Sequence, residues 1–345
     1  MAYRLTGTPP LKPLDTRSLR ICLVGAGSMG RVHANSILQH PGTASLTLCD
    51  ADPGQAQALA SELGVSSEGL DAALGSGAFD AYFIVSPPIA HLDQVARAAQ
   101  NGAYVFCEKP LGEDIASIDA AWPNLAPHGD RIQVGFNRRF DPHMAELKRR
   151  IKAGNIGQIE QLRIVSRDHT APDVDGLENS AGLIAETAIH DFDLTRWLLE
   201  DEIVEVTCMG SALINPAYAT VGHIDTATTL LRGAGGQQVV IQNSWRTSYG
   251  YDQRVEAFGA GGRLSVANPA GPLVVQEDMG GLHRDRIAPD WLVRYPEAYF
   301  IQATEFLDTA CAKGIVSPNL SDGYAASHLA EKATESQKSG LPVAC

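Results

Sequence analysis

The sequence predicts an α/β protein in two parts: a doubly wound parallel sheet at the N-terminus, then an α+β domain on a large, mainly antiparallel open sheet. Three observations carry this. The chain has 345 residues, about twice what one average domain needs. Its first 135 residues alternate short, nearly continuous apolar runs with longer stretches of helical spacing, as parallel strands covered on both faces require. Beyond Asp141 the strands lengthen and alternate apolar with polar residues, and glycine-rich turns separate several of them, as hairpins do.

Taken in order, the run from Pro9 to Leu14 and the lack of an apolar segment make residues 1–16 an extended arm rather than a signal peptide. Strands are expected at 19–24, 46–49, 81–85, 104–107 and 131–134, with helices at 30–40, 54–63, 90–101 and 115–125 between them. Pro142 sits early in a helix reaching about 153, where proline is tolerated. Longer strands follow at 161–167, 204–211, 226–231, 238–244 and 253–258, with turns at 233–236 and 259–262. Helices at 295–312 and 322–337 close the chain.

Composition excludes several functions. Hydrophobic residues make up 44% and charged residues 19%, an ordinary globular balance. A net charge of −13 argues against a nucleic-acid partner. No run approaches the roughly 18 apolar residues of a membrane span. The six cysteines are scattered without a CxxC, and Cys22, Cys49 and Cys107 read as small buried thiols inside apolar strands. A reducing cytoplasm follows.

Gly25-Ala26-Gly27-Ser28-Met29-Gly30 lies directly between the first strand and the first helix. There a GxGxxG has a physical reason: the first glycine makes a tight turn, the second admits a pyrophosphate, and the third lets helix pack on strand. The helix N-terminus adds positive potential. Twenty residues on, the second strand ends in Asp50, suited to a ribose diol. Its carboxylate repels a 2′-phosphate, and Ala51-Asp52 offer no arginine, so NAD is favoured over NADP. Residues 17–138 are therefore expected to form a Rossmann dinucleotide-binding domain, and 139–345 the substrate-binding and oligomerisation domain. Ser86, Pro87 and Pro88 form a turn at the carboxyl edge of the sheet, where ligands bind, and His91 is either a cofactor contact or a helix-start residue.

The fifth strand ends Cys107-Glu108-Lys109-Pro110-Leu111, a charged pair that packing alone does not explain. This EKP, at this distance from the glycines, resembles the Gfo/Idh/MocA oxidoreductase family. The resemblance continues through 135–141, 166–168 and 180–182, then 186–193 and 249–259, the last two most like the inositol dehydrogenase branch. It implies NAD(P)-dependent oxidation of a sugar or cyclitol alcohol by a dimer or tetramer joined through sheet faces. It also implies a catalytic set of Lys109, Glu186 and His190, with Glu108 beside the cofactor, and a substrate shell of Asn137, Arg138, Asp168, Tyr249 and Tyr251. Three departures stand out: a glutamate at 186 where the family has aspartate, Ala181-Gly182 for a glycine pair, and His169-Thr170 where a proline is expected.

The chemistry suits those residues. Oxidising a secondary alcohol moves a hydride to the nicotinamide and a proton to a base with a pKa near working pH, which His190 provides. Glu186 and His190 stand four apart, so a helix running to about Leu199 puts them on one face, where the carboxylate can orient the ring. That requires the carboxylate within roughly 2.6–3.2 Å of His190 or Lys109. Lys109 can stabilise the developing alkoxide. The plain alternatives are an exposed ion pair at 186/190 and a surface Lys109 paired with Glu108. A metal at His190-Asp191-Phe192-Asp193 is rejected, because no second histidine has HExxH spacing. The leading reading is an NAD-dependent dehydrogenase of an inositol or related aminocyclitol, with a small polyol as its partner. The rivals are a pyranose dehydrogenase and a nucleotide-binding sensor that has lost catalysis.

Overall fold

Strands only two to seven residues long, most of them apolar, build the first sheet. In the computed structural model, which describes residues 18–269 and 274–345, β1 (Leu19–Val24) is buried at every position except Arg20. The expected arm at 1–16 lies outside the described residues. Five further strands follow: β2 (Thr43–Cys49), β3 (Ser66–Ser67), β4 (Ala81–Ile84), β5 (Tyr104–Cys107) and β6 (Ile132–Val134). All pair in parallel in the order β3-β2-β1-β4-β5-β6. The order reverses between β1 and β4, which opens a crevice at their carboxyl ends. Helices α1 (Ser28–Gln39), α2 (Pro53–Leu63), α3 (Leu70–Gly75), α4 (Pro88–Gln100) and α5 (Ile115–Leu125) make the crossovers.

After α6 (Pro142–Lys152) comes a seven-stranded second sheet. Its strands are β7 (Gln161–Arg167), β8 (Ile203–Ser211), β9 (Thr226–Gly233), β10 (Gln238–Ser244), β11 (Asp252–Gly259), β12 (Gly262–Val266) and β15 (Val343–Ala344). The order is β12-β11-β7-β10-β9-β8-β15, with β7 and β10 parallel and every other pair antiparallel. One face packs Leu162, Ile164, Ile241 and Ala257 against Leu147 of α6 and Leu198 of α7 (Ile189–Leu199). On the strands Met209, Leu230 and Phe258 remain exposed. A short α8 (Ala217–Thr220), a hairpin of β13 (Val275–Asp278) and β14 (Gly281–Arg284), and α9 (Trp291–Arg294) lie in the connections.

The last two helices return to the first sheet. Ala303, Phe306, Leu307 and Ala310 of α10 (Pro296–Ala312) pack with Ile21, Leu23, Phe83 and Phe106. Helix α11 (Leu320–Ser339) bridges the two cores, with Ala326 in one and Leu329, Ala330 and Ala333 in the other. The first core is therefore completed from the far end of the chain. Among the described residues no helix is long and apolar enough to cross a membrane.

Candidate active site

Beside the crevice lies a cleft of about 610 Å³ between the two sheets. The first sheet contributes Ser86, Glu108 and Lys109 from the ends of its strands. The second domain contributes Asp168, Glu186, Thr187, His190 and Tyr251. Asn137 and Arg138 also line it, in the connection between the two.

The glycine loop fits a dinucleotide on its own geometry. Gly25 has φ +107°, and a Cβ there would stand 2.7 Å from the Val85 carbonyl oxygen. A Cβ on Gly30 would stand 2.0 Å from the Gly25 oxygen, so those two glycines are needed for packing. Gly27 differs: a Cβ there meets nothing within 4 Å, so the space above it is open. No side chain caps α1, which leaves the amides of its exposed first turn, from Ser28, free for a diphosphate, and Met29 lines the cleft alongside. Asp50, the residue after β2, stands beside this loop, accepting from the Ala26 amide (2.7 Å) and the Asp52 amide (2.8 Å). Each carboxylate oxygen retains a lone pair for a ribose hydroxyl.

His91, near the start of α4, and Glu108 both line the cleft and brace the turns around it. The His91 ring nitrogens face the carbonyls of Pro110 (2.8 Å) and Ser86 (2.7 Å), so the imidazole is a strut between the turns after β4 and β5. Burial holds its pKa below the ordinary value, so the neutral ring donates to one of the two carbonyls, and its side chain also lines the cleft. The Ser86 hydroxyl donates to Gln94 (2.6 Å), and Pro87 is the exposed residue preceding α4. Glu108 takes His33 Nε2 of α1 on one oxygen (2.8 Å) and the Lys109 amide on the other (3.0 Å). It braces the lysine turn against the cofactor helix.

Lys109 Nζ reaches across the cleft and donates to the main-chain oxygen of Glu186 (3.0 Å). Burial lowers its pKa, against the pull of Glu108, Glu186 and Asp168. The Glu186 carboxylate turns the other way. Its Oε1 accepts from the Ser180 hydroxyl and the Ala181 amide, both at 2.9 Å, and bonds neither His190 nor Lys109. Residues Ile184–Ala188 form a π-turn, and α7 begins only at Ile189, so the four-residue face of an α-helix is not available to this pair. His190 meets Phe136 edge-on at 6.1 Å, and its buried Nδ1 has no partner among the described residues. Burial, then the charges of Lys109 and Arg138, push its pKa well below the usual imidazole range, so the ring is neutral at pH 7.

The carboxylates beside His190 hold arginines. Asp191 accepts from Arg138 Nη1, from Ser166 (2.6 Å) and from Asn243 (2.7 Å), and Asp193 accepts from Arg139 Nε (2.9 Å). The Arg138-Arg139 pair is thereby locked to α7, and Arg139 also reaches Asp322 of α11 (3.1 Å). Asn137 is buried in the cleft wall, and Asp168, its pKa raised by burial, accepts from Thr187 (3.3 Å). Tyr251 lines the cleft, edge-on to Tyr295 at 5.9 Å. Tyr249 does not: it is 47% exposed and donates to Asp252 (2.7 Å). Strand β11 starts only at Asp252, and Gly250 at φ +118° turns the chain, so the two tyrosines do not share a strand face.

The cleft also contains residues that sequence reasoning missed. Trp291, Tyr295 and Tyr299 line it at four-residue spacing, a helical signal that was there to be read. Thr187 and Trp245 carried no such signal.

Residues 19–136 match an oxidoreductase family with an NAD-binding Rossmann fold, and residues 144–265 match the GFO/IDH/MocA C-terminal domain. An inositol 2-dehydrogenase of Rhizobium meliloti (strain 1021) is 36% identical over 321 residues, 92% of this chain and 97% of the relative. The crystal structure of a myo-inositol dehydrogenase from Corynebacterium glutamicum superposes with a TM-score of 0.90 at 34% identity, over 95% of this chain and 98% of that one. A scyllo-inositol dehydrogenase from Lactobacillus casei, with bound NAD(H) and scyllo-inositol, gives 0.88 at 27% identity, over 95% and 99%.

Proposed function

The chain belongs to the Gfo/Idh/MocA family of NAD-binding oxidoreductases, and from that premise we propose that it oxidises a secondary hydroxyl of a cyclitol, an inositol or a related aminocyclitol, to the ketone. One observation carries the reading: Lys109 from the first domain and His190 from the second line one cleft, together with the hydrogen-bonding side chains of Asn137, Arg138, Asp168 and Tyr251. A sensor without catalysis has no need of both. A polyol has hydroxyls for Asn137, Arg138, Asp168 and Tyr251, and the inositol dehydrogenase relatives add support.

Gly25 to Gly30 and Asp50 would hold NAD, which when bound takes the hydride from the alcohol carbon. The chain's own residues handle the proton and the charge. Neutral His190 accepts the proton of the reacting hydroxyl as the C=O bond forms. The Lys109 ammonium donates to the same oxygen and stabilises the negative charge that builds there, and the burial of the lysine strengthens the interaction. Glu186 assists from behind, holding Lys109 by its main-chain oxygen and the 180–182 turn by its carboxylate.

The five buried thiols suit work in a reducing cytoplasm, and the apolar residues on the open sheet suit a homo-oligomer. NADH formation with a panel of cyclitols and pyranoses tests the assignment. Turnover with an inositol is the expected result; turnover with pyranoses alone would replace it by the sugar-dehydrogenase reading.

A further inference from the structure

Thr187 and Trp245 line the cleft and, among the described residues, bond no other side chain of the proposed reaction, yet together they fix one oxygen of Asp168. Trp245 Nε1 stands 3.1 Å from Thr187 Oγ1, which stands 3.3 Å from Asp168 Oδ2. The direction of both bonds follows from chemistry. An indole nitrogen only donates, so the threonine oxygen must accept from it, and the hydroxyl proton is left to point at the carboxylate. The relay is rooted in rigid structure. The Trp245 amide donates to the Asp225 carbonyl (3.0 Å), its ring stacks edge-on with Tyr218 at 5.9 Å, and it is 3% exposed. The Asp168 amide is tied to the Ser244 carbonyl at the end of β10 (2.9 Å).

With Oδ2 so held, Asp168 Oδ1 has no hydrogen-bond partner among the described residues. Asp168 attracts Lys109 electrostatically, and both line the cleft, but no ion pair among the described residues joins them. A ring hydroxyl taken by Lys109 and His190 has its neighbour one carbon away, and Asp168 lines the same cleft with an oxygen free to accept from it.

We propose that Trp245 and Thr187 are positioning residues that aim Asp168 at the hydroxyl adjacent to the one oxidised, so that the site selects vicinal diols. This rests on the dehydrogenase reading above and deepens it. Its logic is that of a site built to bind a hydroxyl, which discriminates strongly against the analogue lacking it.

The test compares kcat/KM for a turned-over inositol with that for its deoxy analogue lacking a hydroxyl beside the oxidised carbon. Wild type should prefer the intact ring by about tenfold or more, and Thr187→Val should reduce that preference to roughly threefold or less. Thr187→Ser, which keeps the hydroxyl, should restore it, and Trp245→Phe should weaken it. KM for NAD should not change in any variant. If Thr187→Val keeps the wild-type preference, or loses activity on both substrates by one common factor, the inference is wrong. Should that variant fail to fold, Trp245→Phe decides by the same ratio. A wild-type protein inactive on every cyclitol would overturn the dehydrogenase reading itself, a result distinct from an active enzyme whose preference ignores Thr187.

Discussion

Residue 186 shows how a local backbone choice redirects a side chain. A charge-support role predicts that Glu186→Asp is milder than Glu186→Gln. With the carboxylate spent on the Ser180 hydroxyl and Ala181 amide, the order reverses. Glutamine keeps an acceptor oxygen at full reach, so Glu186→Gln should hold kcat/KM within a few-fold, while the shorter Glu186→Asp drops the loop and loses roughly tenfold, about 1.4 kcal/mol of lost hydrogen bonding. Steady-state kinetics of both variants check this. His190→Ala should lower kcat by roughly 10²- to 10⁴-fold and leave NAD binding intact, as measured by fluorescence titration. The pH profile follows from the two shifted groups. His190 must be neutral to take the proton, and its pKa lies well below 6.5, so the acid limb of kcat/KM should fall below that of a free imidazole. Lys109 must be protonated to donate, and its pKa is lowered from 10.5, so the alkaline limb should begin below that value. An acid limb at or above pH 6.5 would remove His190 as the base.

At the scale of elements, the glycine turn separates packing from function. Gly30→Ala puts a Cβ against the Gly25 oxygen and should destabilise the fold by about 3 kcal/mol. Gly27→Val fills open space, so it should melt within about 1 kcal/mol of wild type yet raise Kd for NAD by tenfold or more, which calorimetry of both variants would establish. Much of the fold was legible because long signals were honest ones. β1, β5, β7 and β10 fall at the expected bounds, since each is an uninterrupted or alternating apolar run closed by a turn. β3 is two serines and β12 begins at a glycine, and only pairing with a neighbour makes either a strand. In the site, Lys109, His190, Asp168 and Tyr251 were readable from motifs. The reversal of Glu186 was not, because a π-turn has no sequence periodicity to announce it. Tyr249 entered the expected shell through the resemblance alone, and it lies three residues before β11 begins, outside the cleft lining.

Across the whole molecule, the ends of the chain cooperate. Residues 17–138 expressed alone lack Ala303, Phe306 and Leu307, so this fragment should aggregate or bind a hydrophobic dye rather than melt cooperatively. A cooperative transition of the fragment would show that α10 is dispensable. The open face of the second sheet, with Met209 at 72% and Leu230 at 50% exposure, is expected to be covered by another copy. Light scattering at micromolar concentration should report a dimer or tetramer, and Leu230→Lys should shift it toward the monomer.

The return of α10 to the first sheet also fixes an order of events during synthesis. The strands of that sheet leave the ribosome well over a hundred residues before Phe306 does. At ordinary elongation rates the interval is on the order of ten seconds. Throughout it the nascent nucleotide-binding half presents a bare apolar face to the cell, a surface suited to holding chaperones. Messages cut short after Tyr251 would encode Lys109, Asp168 and His190 in full and still give a polypeptide destined for proteolysis, because the helix that closes the first core is translated after them.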